Sequence, residues 1–291
     1  MLVLFFILPL ALAGYSDHLA RNRFLPASAA AYMERPHFCI ESRFNGGAVK
    51  RRIEVKCDKL FIDTCSAFTA YAVGDQAIVI AFRGTMIGTQ MIIESEQTVF
   101  AHKVQWAAGG AVSKYFADAF FDIWNKGLKD DFLALANQYP NYQLWITGHS
   151  LGAALAALCA SHIRYNNLFP ASQTLLMTFG EPRTGDSAYA DAVDRDVPNA
   201  WRVVHSHDMI AHLPLKNMEG YRHHRSEAYY AAEDMGPGAK YTLCTNQDED
   251  MNCSDGNGVD DNFNDHVIYF NTSLGDYGLA HCNYTLDGGP N

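Results

Sequence analysis

The run YQLWITGHSLGAALAALCASHIRY, residues 142–165, decides the fold. Its first six residues, Tyr142 to Thr147, read as a buried strand, and Leu151 to Tyr165 is rich in strong helix formers. Between them stands Gly148-His149-Ser150-Leu151-Gly152, a G-x-S-x-G. A serine hydroxyl is a poor nucleophile unless it is exposed, held still and given a base. A tight strand-to-helix turn meets the first two needs by straining the serine backbone and lifting its Oγ out of the sheet. The glycine on each side lets neighbouring backbone pass without a Cβ clash. The alternative reading, a helix N-terminus that happens to hold a serine, does not account for the strand before it.

Working outward, Phe68 to Val73 and Ala77 to Phe82 read as strands, as do Thr174 to Phe179 and Ala200 to His205. A long amphipathic helix is expected over Val112 to Asn137, a shorter one near Ala188 to Val193, and a helical stretch from Gly14 to about Met33. Strands alternating with helices imply a mostly parallel central sheet with helices on both faces. Residues 14–291, without repeat or long linker, are expected to form a single α/β domain. Catalytic groups in such sheets sit in loops at the carboxyl ends of strands, where Ser150 lies.

The serine requires a histidine base, and that histidine an acid to fix its tautomer. For a G-x-S-x-G serine the chain order is serine, acid, histidine. Asp208 fits the acid, at the carboxyl end of the strand in WRVVHSHDMIAHLP; Asp186 is the alternative. Asp248, Glu249 and Asp250 read as a solvated acidic loop. Only His266 and His281 lie beyond residue 224, and His266, in DHVIYF, is favoured. Its neighbour Asp265 is poorly placed to turn back and orient the ring. The oxyanion requires two aimed N–H donors. Leu151, after the nucleophile, supplies one, and Thr85, in the RGT after the strand 77–82, the other.

Bulk properties narrow the class. A formal net charge of −10 without a basic stripe argues against nucleic acid and against electrostatic attraction to anionic membranes. MLVLFFILPLALA, residues 1–13, is too short to span a bilayer and ends in A-x-A, so it reads as a signal peptide. Export to the cell exterior is expected, with the lysosome or another lumen of the secretory pathway also open. Seven cysteines in an exported chain imply disulfides and one leftover thiol. Cys159, on the apolar face of the helix after Ser150, is the expected free one. The other six allow fifteen pairings. Closeness in sequence favours Cys57–Cys65 and Cys244–Cys253, which leaves Cys39–Cys282. Sequons begin at Asn252, Asn271 and Asn283 as glycosylation candidates. The histidines at 205, 207, 212, 223 and 224 complete no ligand set, and CSDGNGVDDNFN lacks the end acids of a calcium loop, so no metal and no organic cofactor is expected. No feature sets an oligomeric state, and a monomer is the expectation.

AIVIAFRGT, ITGHSLGAALAAL, TFGEPRTGD, WRVVHSHDMIAHLPL, GYRHHRSEAYY and DHVIYF, in this order, resemble the class 3 lipases, the family of the filamentous-fungal triacylglycerol lipases, and an animal branch of it. The resemblance covers about Ala77 to Cys282. It implies an α/β-hydrolase fold, with Ser150 as nucleophile, Asp208 as acid, His266 as base, and Thr85 and Leu151 as oxyanion donors. It also implies bridges at Cys244, Cys253 and Cys282, with Cys39 as early partner of the last. The implied activity is a secreted serine carboxylic-ester hydrolase acting on acylglycerols at a lipid–water interface. Alternatives on the same scaffold are a phospholipase A1 or a feruloyl-type esterase, or a non-catalytic lipid-binding relative. After RGT many relatives carry an N-W pair and an aspartate; here the run is MIGTQMIIESEQTVF. The family places its lid there, so Met86, Ile87, Met91, Ile92 and Ile93 are lid candidates, with plain core packing as the alternative.

Overall fold

The computed structural model describes residues 14–57, 64–84, 99–216, 218–258 and 262–287. Eight strands form the central sheet: β1 (Gly47–Lys56), β2 (Thr64–Ala72), β3 (Ala77–Phe82), β4 (Gln143–His149), β5 (Thr174–Phe179), β6 (Ala200–His205), β7 (Glu227–Tyr230) and β8 (Thr242–Cys244). They lie side by side in chain order. The pairs from β3 to β7 are parallel, while β1–β2–β3 and β7–β8 are antiparallel.

The apolar runs of these strands follow from burial on both faces. Ile78, Ile80 and Phe82 of β3 enter one core, together with Leu144 and Ile146 of β4 and the helix Leu151–Tyr165. Ala77, Val79 and Ala81 point the other way, onto the N-terminal helical segment with Phe24, Leu25 and Ala27. Successive side chains alternate across a strand, so a continuous hydrophobic run serves both layers. The expected α/β architecture is therefore present, and the strands that were read by pattern are all there.

The long amphipathic helix differs from expectation. Ala111–Ser113 is a short strand of a second, four-stranded sheet. The helix begins at Lys114, where the Ser113 hydroxyl accepts the Phe116 N–H at 3.4 Å. It runs to Ile123, opens into a wider turn over Trp124–Leu128, and resumes as Lys129–Gln138. Gly127 sits in that turn with φ of 138°, a conformation open to glycine, and a Cβ there would lie 2.8 Å from the Arg51 guanidinium. Arg51 reaches over the glycine to bond Asp131 at 2.6 and 2.7 Å.

Three disulfides join Cys39 to Cys282, Cys57 to Cys65 and Cys244 to Cys253, and Cys159 is a buried free thiol. Burial pushes that thiol well above its ordinary range, which keeps it protonated and inert. Among the described residues no helix is long and apolar enough to cross a membrane.

Candidate active site

Ser150 stands between β4 and the helix Leu151–Tyr165 with φ of 60° and ψ of −135°, a region L-residues avoid. The flanking glycines show what permits the turn. A Cβ at Gly148 would lie 2.2 Å from the Gly152 carbonyl oxygen, and one at Gly152 would lie 2.5 Å from that of Phe82. The Ser150 N–H bonds the Phe179 carbonyl at 3.0 Å, fixing the turn to β5. The Leu151 N–H is the first of its helix, among the donors a helix leaves without an internal acceptor.

Asp208 lies just past β6 and is fully buried. Its carboxylate accepts the Nδ1–H of His266 at 2.9 and 3.0 Å, the Tyr269 hydroxyl at 2.8 Å, and the N–H groups of Ile210 and Ala211 at 2.9 and 3.3 Å. Burial alone would push this carboxyl up. The His266 charge and the hydrogen bonds from His266 and Tyr269 outweigh it and bring it down to about 2. An ionised Asp208 fixes the proton of His266 on Nδ1 and leaves Nε2 as the basic atom. His266 Nε2 and Ser150 Oγ are both buried and do not bond each other; neither has a hydrogen-bond partner among the described residues. Catalytic hydrogen bonds are often long or poorly aligned before substrate enters, so the missing bond does not exclude this pair.

The two halves of the site are joined through His149. Its ring lies 4.5 Å from that of His266, centroid to centroid. Its Nε2–H donates to the His266 carbonyl at 2.7 Å, and its Nδ1 accepts the Tyr32 hydroxyl at 2.7 Å. Burial, and then the neighbouring His266 charge, lower its pKa to about 3, so the ring is neutral. Gly180 fills the remaining space. Its φ is 54°, and a Cβ there would lie 2.6 Å from Asp208 Oδ2 and 2.8 Å from His266 Nδ1. Tyr32, His149, Gly180 and Tyr269 were not singled out from the sequence as site residues. His149 was inside the motif, and Tyr269 stands three residues after His266.

The alternatives lie elsewhere. Asp186 caps the helix Ser187–Asp196 by accepting the Tyr189 N–H at 3.0 Å, and also accepts that of Ala111 at 3.0 Å. His281 stacks on Phe38 beside the Cys39–Cys282 bridge. Asp265 accepts the His207 N–H at 3.0 Å. The acidic run 248–250 is not the solvated loop expected: Glu249 and Asp250 are buried, and Glu249 pairs with buried Arg183 at 2.6 Å. A local acidic composition does not reveal a cation supplied from 66 residues away. Thr85 and the lid candidates Met86, Ile87, Met91, Ile92 and Ile93 lie outside the described residues. Among the described residues no group of three or more His, Cys, Asp or Glu is placed to hold a metal. Asn252, Asn271 and Asn283 are all exposed; Asn271 Nδ2 donates to Asp234 at 2.7 Å, and Asn252 Nδ2 to Asp250 at 2.8 Å.

A strained serine at a strand-to-helix turn and a buried aspartate–histidine pair on an eight-stranded, mostly parallel sheet define a serine ester hydrolase of the α/β-hydrolase fold. The sequence profile described as Lipase (class 3) matches residues 79–218. A lipase of Caenorhabditis elegans is 32% identical over 306 aligned positions, covering 94% of this chain and 84% of its own. A lipase of Rhizomucor miehei is 32% identical over 218, covering 74% of this chain and 58% of its own. Among solved structures, a triacylglycerol lipase whose catalytic centre is a serine-protease triad superposes with a TM-score of 0.74 at 25% identity, over 87% of this chain and 93% of that one. The chain belongs to the class 3 lipase family.

Proposed function

We propose that the protein is an exported lipase that hydrolyses fatty-acyl esters of acylglycerols through an acyl-enzyme on Ser150. The observation that carries this reading is the Asp208–His266 pair at 2.9 Å, with an Nε2 that has no partner among the described residues, on the ring that stacks against the residue before Ser150. His266 Nε2 takes the hydroxyl proton as Ser150 Oγ bonds the ester carbonyl carbon. The negative oxygen rests on the N–H groups of Leu151 and Thr85. The C–O bond to the alcohol breaks as His266 returns the proton to the leaving oxygen. Water, deprotonated by the same nitrogen, then bonds the acyl carbon; the bond to Ser150 Oγ breaks as His266 returns the proton to Oγ, and the fatty acid is freed.

Export is supported by the apolar leader at residues 1–13 and by three disulfides that persist in oxidising compartments. The segment 86–100 is the proposed lid, and the three sequons are the proposed glycan sites.

The test is covalent labelling of the mature protein with an alkyl phosphonate fluorophore, followed by a panel of tri-, di- and monoacylglycerol, phosphatidylcholine and a feruloyl ester. Labelling that vanishes in Ser150→Ala, with turnover greatest on acylglycerols, is expected. Turnover confined to the phospholipid or the feruloyl ester would move the assignment to those esterases, and absence of labelling would end it.

A further inference from the structure

Arg183 is buried, 1% exposed, and touches neither Asp208 nor His266 through any polar bond among the described residues, yet it ties together the segments that carry them. All five of its guanidinium N–H donors are used. Nε and Nη2 bond the two carboxylate oxygens of Glu249 at 2.9 and 2.6 Å, and Nη2 also bonds Asp255 at 3.1 Å. Nη1 bonds the carbonyls of His212 and of Pro214, the latter at 2.8 Å. The Arg183 backbone N–H adds a bond to the Leu213 carbonyl at 2.8 Å.

These partners are not scattered. Carbonyls 212–214 end the loop that Asp208 begins, and within that loop the N–H groups of Ile210 and Ala211 hold the Asp208 carboxylate. Glu249 lies in the segment bridged by Cys244–Cys253, which leads on to His266. Its own backbone is left-handed, φ 54°, a conformation costly for glutamate and kept by its surroundings. Glu249 Oε1 also accepts the His223 N–H at 3.0 Å, and the His223 ring donates from Nε2 to the Ala211 carbonyl at 2.6 Å. Arg183 itself stands three residues after Gly180, the residue wedged against both Asp208 and His266. A bidentate guanidinium–carboxylate pair fixes direction as well as distance, and an ammonium at the same place would not.

We propose that the buried Arg183–Glu249 pair is a positioning device for the hydrolytic reaction: it sets the loop of Asp208 against the segment of His266, so that the acid meets the base. This rests on the reading of Asp208 and His266 as acid and base of Ser150. Neither Arg183 nor Glu249 touches the reacting atoms, and both act through the contact of Asp208 with His266. Displacements of about 1 Å in a reacting constellation cost on the order of 10²-fold in rate.

The test uses the full mature protein, a soluble p-nitrophenyl ester, and kcat and KM measured below the melting range of each variant. Arg183→Lys and Glu249→Gln are expected to lower kcat roughly 10- to 100-fold with KM little changed, while Arg195→Gln, on an exposed pair, leaves both as they were. The decisive readout is Asp208→Asn combined with Arg183→Lys. A device acting through the contact of the Asp208 carboxylate with His266 has no such contact left to set, so the double variant should be no slower than Asp208→Asn alone. Losses that multiply in the double variant overturn the proposal. So do clamp variants with lowered Tm and undiminished kcat, or failure of both to fold, each of which makes the pair a fold element only. A fully active Asp208→Asn would instead overturn the underlying assignment of the acid.

Discussion

His149 and His266 lie face to face, their ring centroids 4.5 Å apart and their planes inclined by 29°. The relationship is double, because the His149 ring also donates to the His266 backbone carbonyl. The residue next to Ser150 thus holds His266, the proposed base, by its main chain and covers its ring. The His266 carbonyl can only accept, so it selects the tautomer in which His149 Nε2 carries the proton, and the Tyr32 hydroxyl donates to the free Nδ1.

Tyr32→Phe therefore leaves the buried Nδ1 of His149 without its donor. A buried acceptor deprived of its partner costs about 1–3 kcal/mol. The expected result is a Tm lowered by several degrees and kcat on a soluble ester reduced severalfold, read by calorimetry and initial rates. A variant with the stability and turnover of the parent would show that the N-terminal helical segment does not support the site.

Tyr269→Phe removes one of the donors that keep the Asp208 carboxylate ionised in a fully buried place. Hydrogen bonds to charged groups are worth about 1.5–3 kcal/mol. Kcat should fall about tenfold by the same scale of energy, with KM unchanged, because the bond orients the acid and never meets substrate. An unchanged kcat would mean that His266 and the loop N–H groups suffice.

The strands read from sequence share a physical reason. The strands at 77–82, 142–147, 174–179 and 200–205 are mostly apolar on both faces because the sheet is covered on both sides. The G-x-S-x-G was legible because its spacing is local: Gly148 is required by the close approach of the Gly152 backbone within the same turn, although Gly152 answers the backbone of Phe82 and Arg83 on a different strand. Asp208 and His266, chosen as candidates by their order along the chain, are brought together at 2.9 Å although 58 residues separate them. Tyr32 was not legible, since its partner lies 117 residues away and no local pattern marks it. The solvated reading of Glu249 failed for the same reason: its charge is neutralised by Arg183, from a different loop. The unbroken helix over 112–137 failed because apolar periodicity continues through Trp124–Leu128 while the backbone turn at Gly127 is set by Arg51 packing from β1.

Gly180→Ala tests how tightly the acid and base are enclosed. The substitution adds one methyl group, yet at φ 54° an L-residue is disfavoured by about 1–2 kcal/mol, and the methyl would meet Asp208 Oδ2 at 2.6 Å and His266 Nδ1 at 2.8 Å. Neither neighbour is the free end of a flexible chain, because both are held by the bonds described above. The expected outcome is loss of phosphonate labelling at Ser150 with the far-ultraviolet spectrum preserved. Labelling at the parental rate would mean that the pocket yields without disturbing the pair.

Acid should unfold this protein in two windows, and the first begins well above the carboxylate range. His149 and His223 are fully buried and held neutral, His149 near 3 and His223 also well below its ordinary value, burial being the main cause for each. In the unfolded chain both take up a proton near pH 6.5. Between that pH and the lowered native values the unfolded state binds more protons, so stability falls as pH falls. Each histidine contributes up to about 1.4 kcal/mol per pH unit once pH is well under 6.5. The second window belongs to Asp208, brought down to about 2, where protonation of the unfolded carboxyl below about 4 draws in the same direction. Melting temperatures measured from pH 8 to pH 4 should therefore hold level to about 7 and then decline steadily. His149→Gln, which has no ring to protonate, should begin less stable and decline with a shallower slope. A Tm that stays level from pH 7 to pH 5, or equal slopes for parent and variant, would show that His149 is not the titrating group.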